Sequence, residues 1–174
     1  VMVTHDQEEA MTMAERIALM HLGCIEQIGS PEDNYETPIS RQVCEFIGSV
    51  NLFDGEVVDD AEDHAVIACP QLERNIYVGH GVSTSVEDKR VTYALRPEKL
   101  IVTTEQPTCE HNWSSGKVHD IAYLGGHSVF HVELPSGMIV QSFVANAERR
   151  GTRPTWGDNV FVCWEDDSGV VLRS

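Results

Sequence analysis

Residues 128–144 read SVFHVELPSGMIVQSFV. Two short runs rich in Val, Ile and Phe flank Pro135-Ser136-Gly137, a sequence typical of a tight turn. Branched aliphatic and aromatic residues favour the extended conformation. The stretch therefore predicts a β-hairpin, and similar runs on both sides of it determine the fold class.

Short apolar runs separated by Gly, Pro, Asp and Ser continue through residues 51–174. About ten short strands at this spacing are typical of an all-β sandwich or barrel. The predicted strands are residues 56–58, 65–69, 76–78, 91–95, 100–103, 117–123, 128–134, 138–144, 159–164 and 170–172. Asp166-Asp167-Ser168-Gly169 predicts a further turn before the last strand.

The first residues show a different pattern. Val1-Met2-Val3 predicts a short buried strand, and it is followed by Thr4-His5-Asp6. Gln7 then begins a predicted helix, because Asp6 and Glu9 have the spacing of a capping box and the first turn is acidic. A strand that ends at a histidine places that side chain where open α/β sheets bind ligands. This makes His5 a candidate functional residue.

Residues 16–28 predict a second hairpin, with Gly23 at its turn. Two short helices should follow. Ser30 is suited to cap the first, since Pro31 occupies the first helical position and acidic residues follow it. Ser40 is suited to cap the second, which Gly48 ends.

The composition limits the classes of partner. The chain has 12 basic and 28 acidic residues, a net charge of −16. Nucleic-acid binding depends on Lys and Arg neutralising phosphates, so this charge argues against it, and against docking on an anionic membrane. No apolar run reaches the roughly 18 residues of a membrane helix. We expect no direct membrane insertion and attachment, if any, through partner subunits.

The five cysteines are scattered along the chain and form no Cys-x2-Cys pair. This spacing supports neither a zinc site nor a disulfide framework, and reduced thiols in a cytosolic protein are the simplest interpretation. His127 and His131 would lie about 13 Å apart on one strand face, too far to share a metal. We therefore expect no intrinsic metal site.

Several segments together resemble one protein family. The residues from Val1 to Met11 are similar to the switch-histidine segment of ATP-binding cassette (ABC) importer ATPases. Residues 29–38 and Phe46-Ile47-Gly48 resemble the end of the nucleotide-binding domain of that family, and residues 49–55 resemble its polyamine importers, above all the putrescine type. Leu95-Arg96-Pro97-Glu98, Tyr123-Leu124-Gly125 and the last predicted hairpin resemble the transport-associated OB-like (TOBE) domain that follows it.

The resemblance implies a fold and a division of the chain. The fold would be mostly β, with an OB-like TOBE barrel preceded by a short α/β remnant of the nucleotide-binding domain. Residues 1–50 would form that remnant and residues 51–174 the TOBE regulatory domain.

The resemblance also implies an activity. The intact subunit would bind ATP and Mg, with His5 at the γ-phosphate, and would couple hydrolysis to polyamine uptake. Its partners would be a second copy of itself, permease subunits and, indirectly, an extracytoplasmic substrate-binding protein, at the cytoplasmic face of the bacterial inner membrane. This chain contains no Gly-x4-Gly-Lys-Ser/Thr phosphate-binding loop. We therefore do not expect it to hydrolyse ATP alone.

Two other functions remain open. The β region could sense polyamine cations as a feedback module, for which the candidate ligand residues are acidic side chains and the Arg-Pro-Glu motif. These residues are Asp59, Asp60, Glu62, Asp63, Arg96 and Glu98. Alternatively, it could be a structural dimerisation module of an iron or sugar importer. Arg96 also has a purely structural interpretation, as an arginine paired with a carboxylate.

Overall fold

A computed structural model describes residues 1–82, 89–146 and 153–173. Helices in these residues are α1 (Gln7–Met13), α2 (Pro31–Glu36) and α3 (Arg41–Phe46), and a 3₁₀ turn spans Pro97–Lys99. The strands are β1 (Ile17–His21), β2 (Cys24–Gly29), β3 (Asn51–Asp60), β4 (Ala65–Ala68), β5 (Ile76–Val78), β6 (Arg90–Leu95), β7 (Ile101–Thr103), β8 (Trp113–Tyr123), β9 (His127–Glu133), β10 (Ile139–Ala145), β11 (Asn159–Cys163) and β12 (Gly169–Arg173).

The N-terminal elements form a small α/β segment, as the sequence predicts. β1 and β2 pair as an antiparallel hairpin. Ser30 caps α2 in a capping box with Asp33, and Ser40 caps α3. These side chains satisfy amide groups that have no partner within the first helical turn. The segment also has a small apolar core formed by Leu19, Val43 and Ile47.

The predicted strand at Val1-Met2-Val3 is wrong. Residues 1–6 form no strand, and the Val3 side chain is 96% exposed. A strand of apolar residues is stable only when neighbouring strands pair with it. Among the described residues, no strand lies beside this stretch. The helix start that follows is confirmed, since Asp6 caps α1 by accepting a hydrogen bond from the Glu9 amide.

The remaining strands form two five-stranded antiparallel sheets. The first sheet has the order β5-β4-β3-β6-β12, and the second has the order β10-β9-β8-β11-β7. One continuous apolar core lies between them. At its centre the Phe53 and Trp164 rings stack 5.7 Å apart, and the fully buried Tyr93 packs against both. Burial of rings this large supplies much of the apolar area that stabilises the fold.

The two sheets are related as two halves of one pattern. In sheet order, β5-β4-β3-β6-β12 corresponds position by position to β10-β9-β8-β11-β7. The long strands β3 and β8 carry the same irregularity, a bulge between Val57 and Asp59 and another between Val118 and Asp120. The last strand of each half pairs within the other sheet: β7 beside β11 and β12 beside β6. The first half of the β unit is β3 to β7 and the second half is β8 to β12. Because each half contributes its last strand to the sheet of the other, the two halves form a single unit.

The fold class predicted from the sequence is confirmed: a mostly β, OB-like unit preceded by a short α/β segment. All ten predicted β-region strands are present. Two of them begin well before the predicted residue, β3 at Asn51 and β8 at Trp113, whereas the others begin within one residue of it. The division of the chain at residue 50 stays a prediction.

Candidate functional site

Arg96 joins the two parts of the chain. It follows β6 directly and is 5% exposed. Its Nη1 donates to the main-chain oxygens of Cys44, Gly48 and Ser49 at 3.1, 3.3 and 3.2 Å. Its Nη2 donates to the main-chain oxygen of Tyr35 at 3.3 Å. One guanidinium group therefore binds four carbonyl groups of the α/β segment.

These carbonyl groups need a partner for a local reason. The last carbonyls of a helix have no intrahelical donor, and Cys44 lies in the last turn of α3, with Gly48 and Ser49 just after it. A planar guanidinium with five N–H donors can satisfy several of them at once, which an ammonium group cannot do as well. The structural interpretation from the sequence pairs Arg96 with a carboxylate. In the structure its guanidinium instead donates to main-chain carbonyl oxygens.

The side chains around Arg96 extend this contact. Its guanidinium carbon lies 4.2 Å from the centre of the Tyr35 ring, a cation–π arrangement. The Tyr35 hydroxyl donates to Glu98, and Lys99 pairs with Glu36. Burial, followed by the bond to Glu98, raises the pKa of Tyr35 above its ordinary value. The Arg-Pro-Glu-Lys turn thus contacts α2 with three of its four side chains.

Apolar and ionic contacts continue along α3. Cys44 is buried against Ala94 and Leu172 of the first sheet, and this burial raises the pKa of its thiol. Arg41 forms an ion pair with Asp54 of β3 at 3.0 Å. The Asp54 carboxylate also accepts a hydrogen bond from Thr92 at 2.7 Å. The helical segment is therefore held on the sheet by charge, packing and hydrogen bonds together.

The four acidic candidates lie in the last two residues of β3 and in the turn before β4, which together are called the acidic turn here. His64 bridges two of them, with Nδ1 2.8 Å from Asp63 and Nε2 3.4 Å from Asp59. Asp60 accepts a hydrogen bond from the Val82 amide at 3.0 Å. The fourth candidate, Glu62, is exposed in the same turn. Three of the four carboxylates therefore contact groups of the chain itself.

The structure does not bring all candidates together. Arg96 lies next to the start of β3, because the preceding residue Leu95 pairs with Asn51. The acidic turn is at the other end of β3. That strand is ten residues long, which at the usual rise is about 30 Å. Arg96 and Glu98 therefore form one group, and the acidic turn forms another.

His5 lies in neither group. It is exposed and precedes α1 in the segment without regular structure. In the described part of the chain, no three His, Cys, Asp or Glu side chains are placed to hold a metal ion. None of the described helices is long and apolar enough to cross a membrane.

Sequence reasoning missed the partners of Arg96. Tyr35 and the carbonyl groups of Cys44, Gly48 and Ser49 are separated from Arg96 by 47 to 61 residues in the sequence. No periodicity in the sequence connects contacts at that distance. The detectable signal was the Arg-Pro-Glu motif itself, which comparison with known proteins places in a recognised domain.

The family model for the TOBE domain matches residues 93–172. Residues 93–172 are therefore similar to the TOBE domain family. Arg96, Glu98 and Lys99 lie near the start of this matched region, which includes β8 to β11 and most of β12. The contacts of Arg96 therefore join the TOBE domain to the α/β segment that precedes it.

The chain as a whole is similar to ATP-binding subunits of polyamine importers. It is 50% identical over 173 residues to the putrescine transport ATP-binding protein PotG of Escherichia coli (strain K12), which covers 99% of this chain and 46% of PotG. It is 35% identical over 184 residues to the spermidine/putrescine import ATP-binding protein PotA of Treponema pallidum (strain Nichols), covering 99% of the chain and 48% of PotA. The chain thus spans about half the length of these relatives. The resemblance to the C-terminal part of such subunits is confirmed.

A solved structure supports the fold alone. The cytoplasmic molybdate-binding protein ModG is similar to this chain with a TM-score of 0.58 and 12% sequence identity. The match covers 70% of this chain and 94% of that ModG chain.

Proposed function

We propose that this chain is the C-terminal region of the ATP-binding subunit of an ABC importer that couples ATP hydrolysis to uptake of a polyamine, putrescine in particular. The observation that supports this most strongly is the 50% identity to a putrescine transport ATP-binding protein across 99% of the chain. Identity at this level across both the α/β segment and the TOBE domain favours a shared role for both parts.

In the proposed intact subunit, ATP and Mg bind in the part of the nucleotide-binding domain that precedes His5. His5 would contact the γ-phosphate and help position the attacking water. Two copies of the subunit would act together on permease subunits at the cytoplasmic face of the inner membrane. An extracytoplasmic binding protein would deliver the substrate to that permease. Phosphoryl transfer depends mainly on such positioning and on charge stabilisation.

The contacts of Arg96 suggest how the TOBE domain takes part. Since a single buried guanidinium binds four carbonyls of the α/β segment, the two parts should move together. For Arg96 and Glu98 we therefore propose a positioning role. A regulatory ligand at Asp59, Asp60, Glu62 and Asp63 stays a prediction.

A chimaera tests the proposed function. In an E. coli strain that lacks PotG, the corresponding region of PotG would be replaced by this chain and uptake of labelled putrescine measured. We expect uptake well above that of the strain without PotG. A chimaera carrying His5→Ala is the matched control and should assemble normally but transport little.

Two results would contradict the proposal. One is a chimaera that accumulates and associates with the permease but takes up no putrescine. The other is uptake that His5→Ala leaves unchanged, which would remove the proposed role of His5.

A further inference from the structure

The C-terminal end of α3 accepts hydrogen bonds from side chains of two distant parts of the chain. The main-chain oxygen of Cys44 binds Arg96, and the main-chain oxygen of Phe46 accepts a hydrogen bond from Nε2 of Gln7. Carbonyl groups in the last turn of a helix have no donor within that helix, and α3 has no basic residue in its last turn. The first turn of α1 and the residue that follows β6 therefore both bind this one helix end.

The bond from Gln7 holds a helix that is otherwise weakly attached. None of the seven residues of α1 is buried. Met11 is partly buried and packs against the apolar core that contains Val43 and Ile47. A helix this short is marginal by itself, so its position depends on contacts with the rest of the protein. Gln7 attaches the first turn of α1 to α3, and Met11 attaches its second turn to the core that α3 helps to form.

His5 is fixed to the first turn of α1 by two local hydrogen bonds. The hydroxyl oxygen of Thr4 accepts a hydrogen bond from the Asp6 amide at 3.0 Å. The Asp6 carboxylate accepts one from the Glu9 amide at 3.0 Å and thereby caps α1. Since His5 lies between Thr4 and Asp6, its main chain must move with α1.

These contacts make one continuous connection between the TOBE region and His5. Arg96 binds the end of α3, Gln7 binds the same helix end, and the first turn of α1 carries His5. A connection of packed and hydrogen-bonded groups can couple two places in a protein. A displacement of α3 relative to the first sheet would therefore change the place of His5.

We propose that Gln7 is a positioning residue that sets the place of His5 relative to α3, so that the TOBE region acts on His5 through Arg96, α3 and Gln7. The inference rests on the proposed function, since it gives His5 the role at the γ-phosphate that is proposed there. Gln7 acts through His5 and needs no contact of its own with ATP. Loss of the Gln7 bond should therefore lower kcat for ATP hydrolysis much more than it changes KM, because it misplaces a group that acts in the transition state.

The contact itself can be tested in this chain without ATP. Nuclear Overhauser effects should connect the side-chain amide protons of Gln7 with the main-chain protons of Ile47, the residue after Phe46. Arg96→Gln should weaken these signals, because the end of α3 then loses its donor from the TOBE region. Their absence from the unchanged chain, or their full strength in the Arg96→Gln variant, would overturn the proposal.

Two substitutions separate the bond from the stability of α1. Gln7→Glu keeps the shape of the side chain but removes its N–H donor, whereas Gln7→Lys keeps a donor. Gln7 is the first residue of α1, where the helix dipole favours Glu and disfavours Lys. The dipole and the bond to Phe46 thus predict opposite orders for the two variants.

The chimaera with PotG gives the functional measurement, as ATP hydrolysis in membranes that contain its permease. Gln7→Glu should lower kcat by about threefold or more, the size expected for one hydrogen bond, while KM for ATP changes by less than about twofold. Gln7→Lys should keep most of the kcat. Gln42→Glu is the matched control, because Gln42 is exposed on α3, and it should leave kcat and KM unchanged.

A double variant tests the connection to Arg96. Arg96→Gln alone should lower kcat, since it loosens the end of α3. Once Gln7→Glu has broken the connection, Arg96→Gln should lower kcat no further, because both substitutions act along one path. The double variant should therefore have the kcat of Gln7→Glu alone.

Three results in an active chimaera would overturn the proposal. They are an unchanged kcat in Gln7→Glu, an equal loss of kcat in Gln7→Lys and Gln7→Glu, and losses that multiply in the double variant. Each of them leaves uptake by the unchanged chimaera, and so the proposed transport function, intact. A chimaera that accumulates with its permease but neither hydrolyses ATP nor takes up putrescine would instead contradict the proposed function, and this inference with it.

Discussion

Asn51 and Asn112 make the same pair of hydrogen bonds at equivalent places in the two halves of the β unit. The Asn51 amide donates to the main-chain oxygen of Gln141 on the edge strand β10 and accepts from its amide, both at 2.8 Å. The Asn112 amide does the same with Tyr77 on the edge strand β5, at 2.9 and 2.7 Å. Each asparagine side chain thus makes the two main-chain hydrogen bonds that a neighbouring strand would otherwise make with the edge strand. It thereby joins one sheet to the edge of the other.

Replacement of either asparagine should destabilise the protein. Asn51→Ala leaves a main-chain donor and acceptor of Gln141 without these partners, and we expect a loss of about 1–3 kcal/mol in the free energy of unfolding. Asn112→Ala should lose at least as much, because its Nδ2 also donates to Asp166. Urea unfolding measures both.

The control for this prediction is Asn159→Ala, since Asn159 is exposed on β11. It should change the free energy of unfolding by less than about 0.5 kcal/mol. If Asn51→Ala and Asn112→Ala are as stable as this control, the two side-chain amides do not hold the edge strands.

The Tyr93 ring lies so close to the main chain at position 169 that only glycine fits there without a shift. A Cβ atom at Gly169 would lie 2.1 Å from Cζ and 2.4 Å from Oη of the fully buried tyrosine. Gly169→Ala should therefore displace the ring or β12 and destabilise the protein by about 1–3 kcal/mol. Thermal unfolding measures the change. Gly126→Ala is the matched control, because a Cβ there meets nothing within 4 Å; equal loss in the two variants would contradict the steric explanation.

The stability of the acidic turn should depend on pH, because His64 bonds to two of its carboxylates. The bond to Asp63, followed by that to Asp59, raises the pKa of His64 above its ordinary 6.5. The pKa of His64 is higher in the folded protein than in the unfolded chain, so the protonated imidazole stabilises the folded state. This stabilisation is complete at pH values below the unfolded pKa and is lost as the pH rises through the folded pKa. An NMR titration should show this raised pKa.

Asp63→Asn tests the cause of that shift. Removing the carboxylate should lower the pKa of His64 towards its ordinary value, since the bond from Asp63 is the largest contribution. An unchanged titration curve in this variant would show that Asp63 does not hold the imidazolium.

Much of the fold could be predicted because the determining signals are local. The turn at Pro135-Ser136-Gly137 ends one strand and starts the next, and Gly137 adopts a positive φ of 85° that glycine tolerates. Ser30 and Ser40 cap helices because their hydroxyls reach amides within the same turn. Such signals act over three or four residues and are visible in the sequence.

The relation between the two halves could not be predicted for a physical reason. It depends on strand order, on bulges and on exchanged last strands, which are set by pairing between distant residues. Along β3 and its counterpart some equivalent positions keep the same residue. These are Asn51 and Asn112, Gly55 and Gly116, Val57 and Val118, and Asp59 and Asp120. Others differ, such as Asp54 and Ser115, because one contacts a helix and the other a loop. The contacts of Arg96 were therefore not apparent from the sequence.

Arg96 holds the α/β segment to the TOBE region through four hydrogen bonds to main-chain oxygens. Hydrogen exchange of Arg96→Gln compared with the unchanged chain tests this directly. We predict that the amides of Cys44 in α3 and of Ile47 just after it exchange about tenfold faster or more, while those of β8 and β11 keep their rates. Arg96→Lys should give a similar result, because an ammonium cannot bind four carbonyls. Unchanged exchange in α3, or equal acceleration throughout both sheets, would contradict the claim.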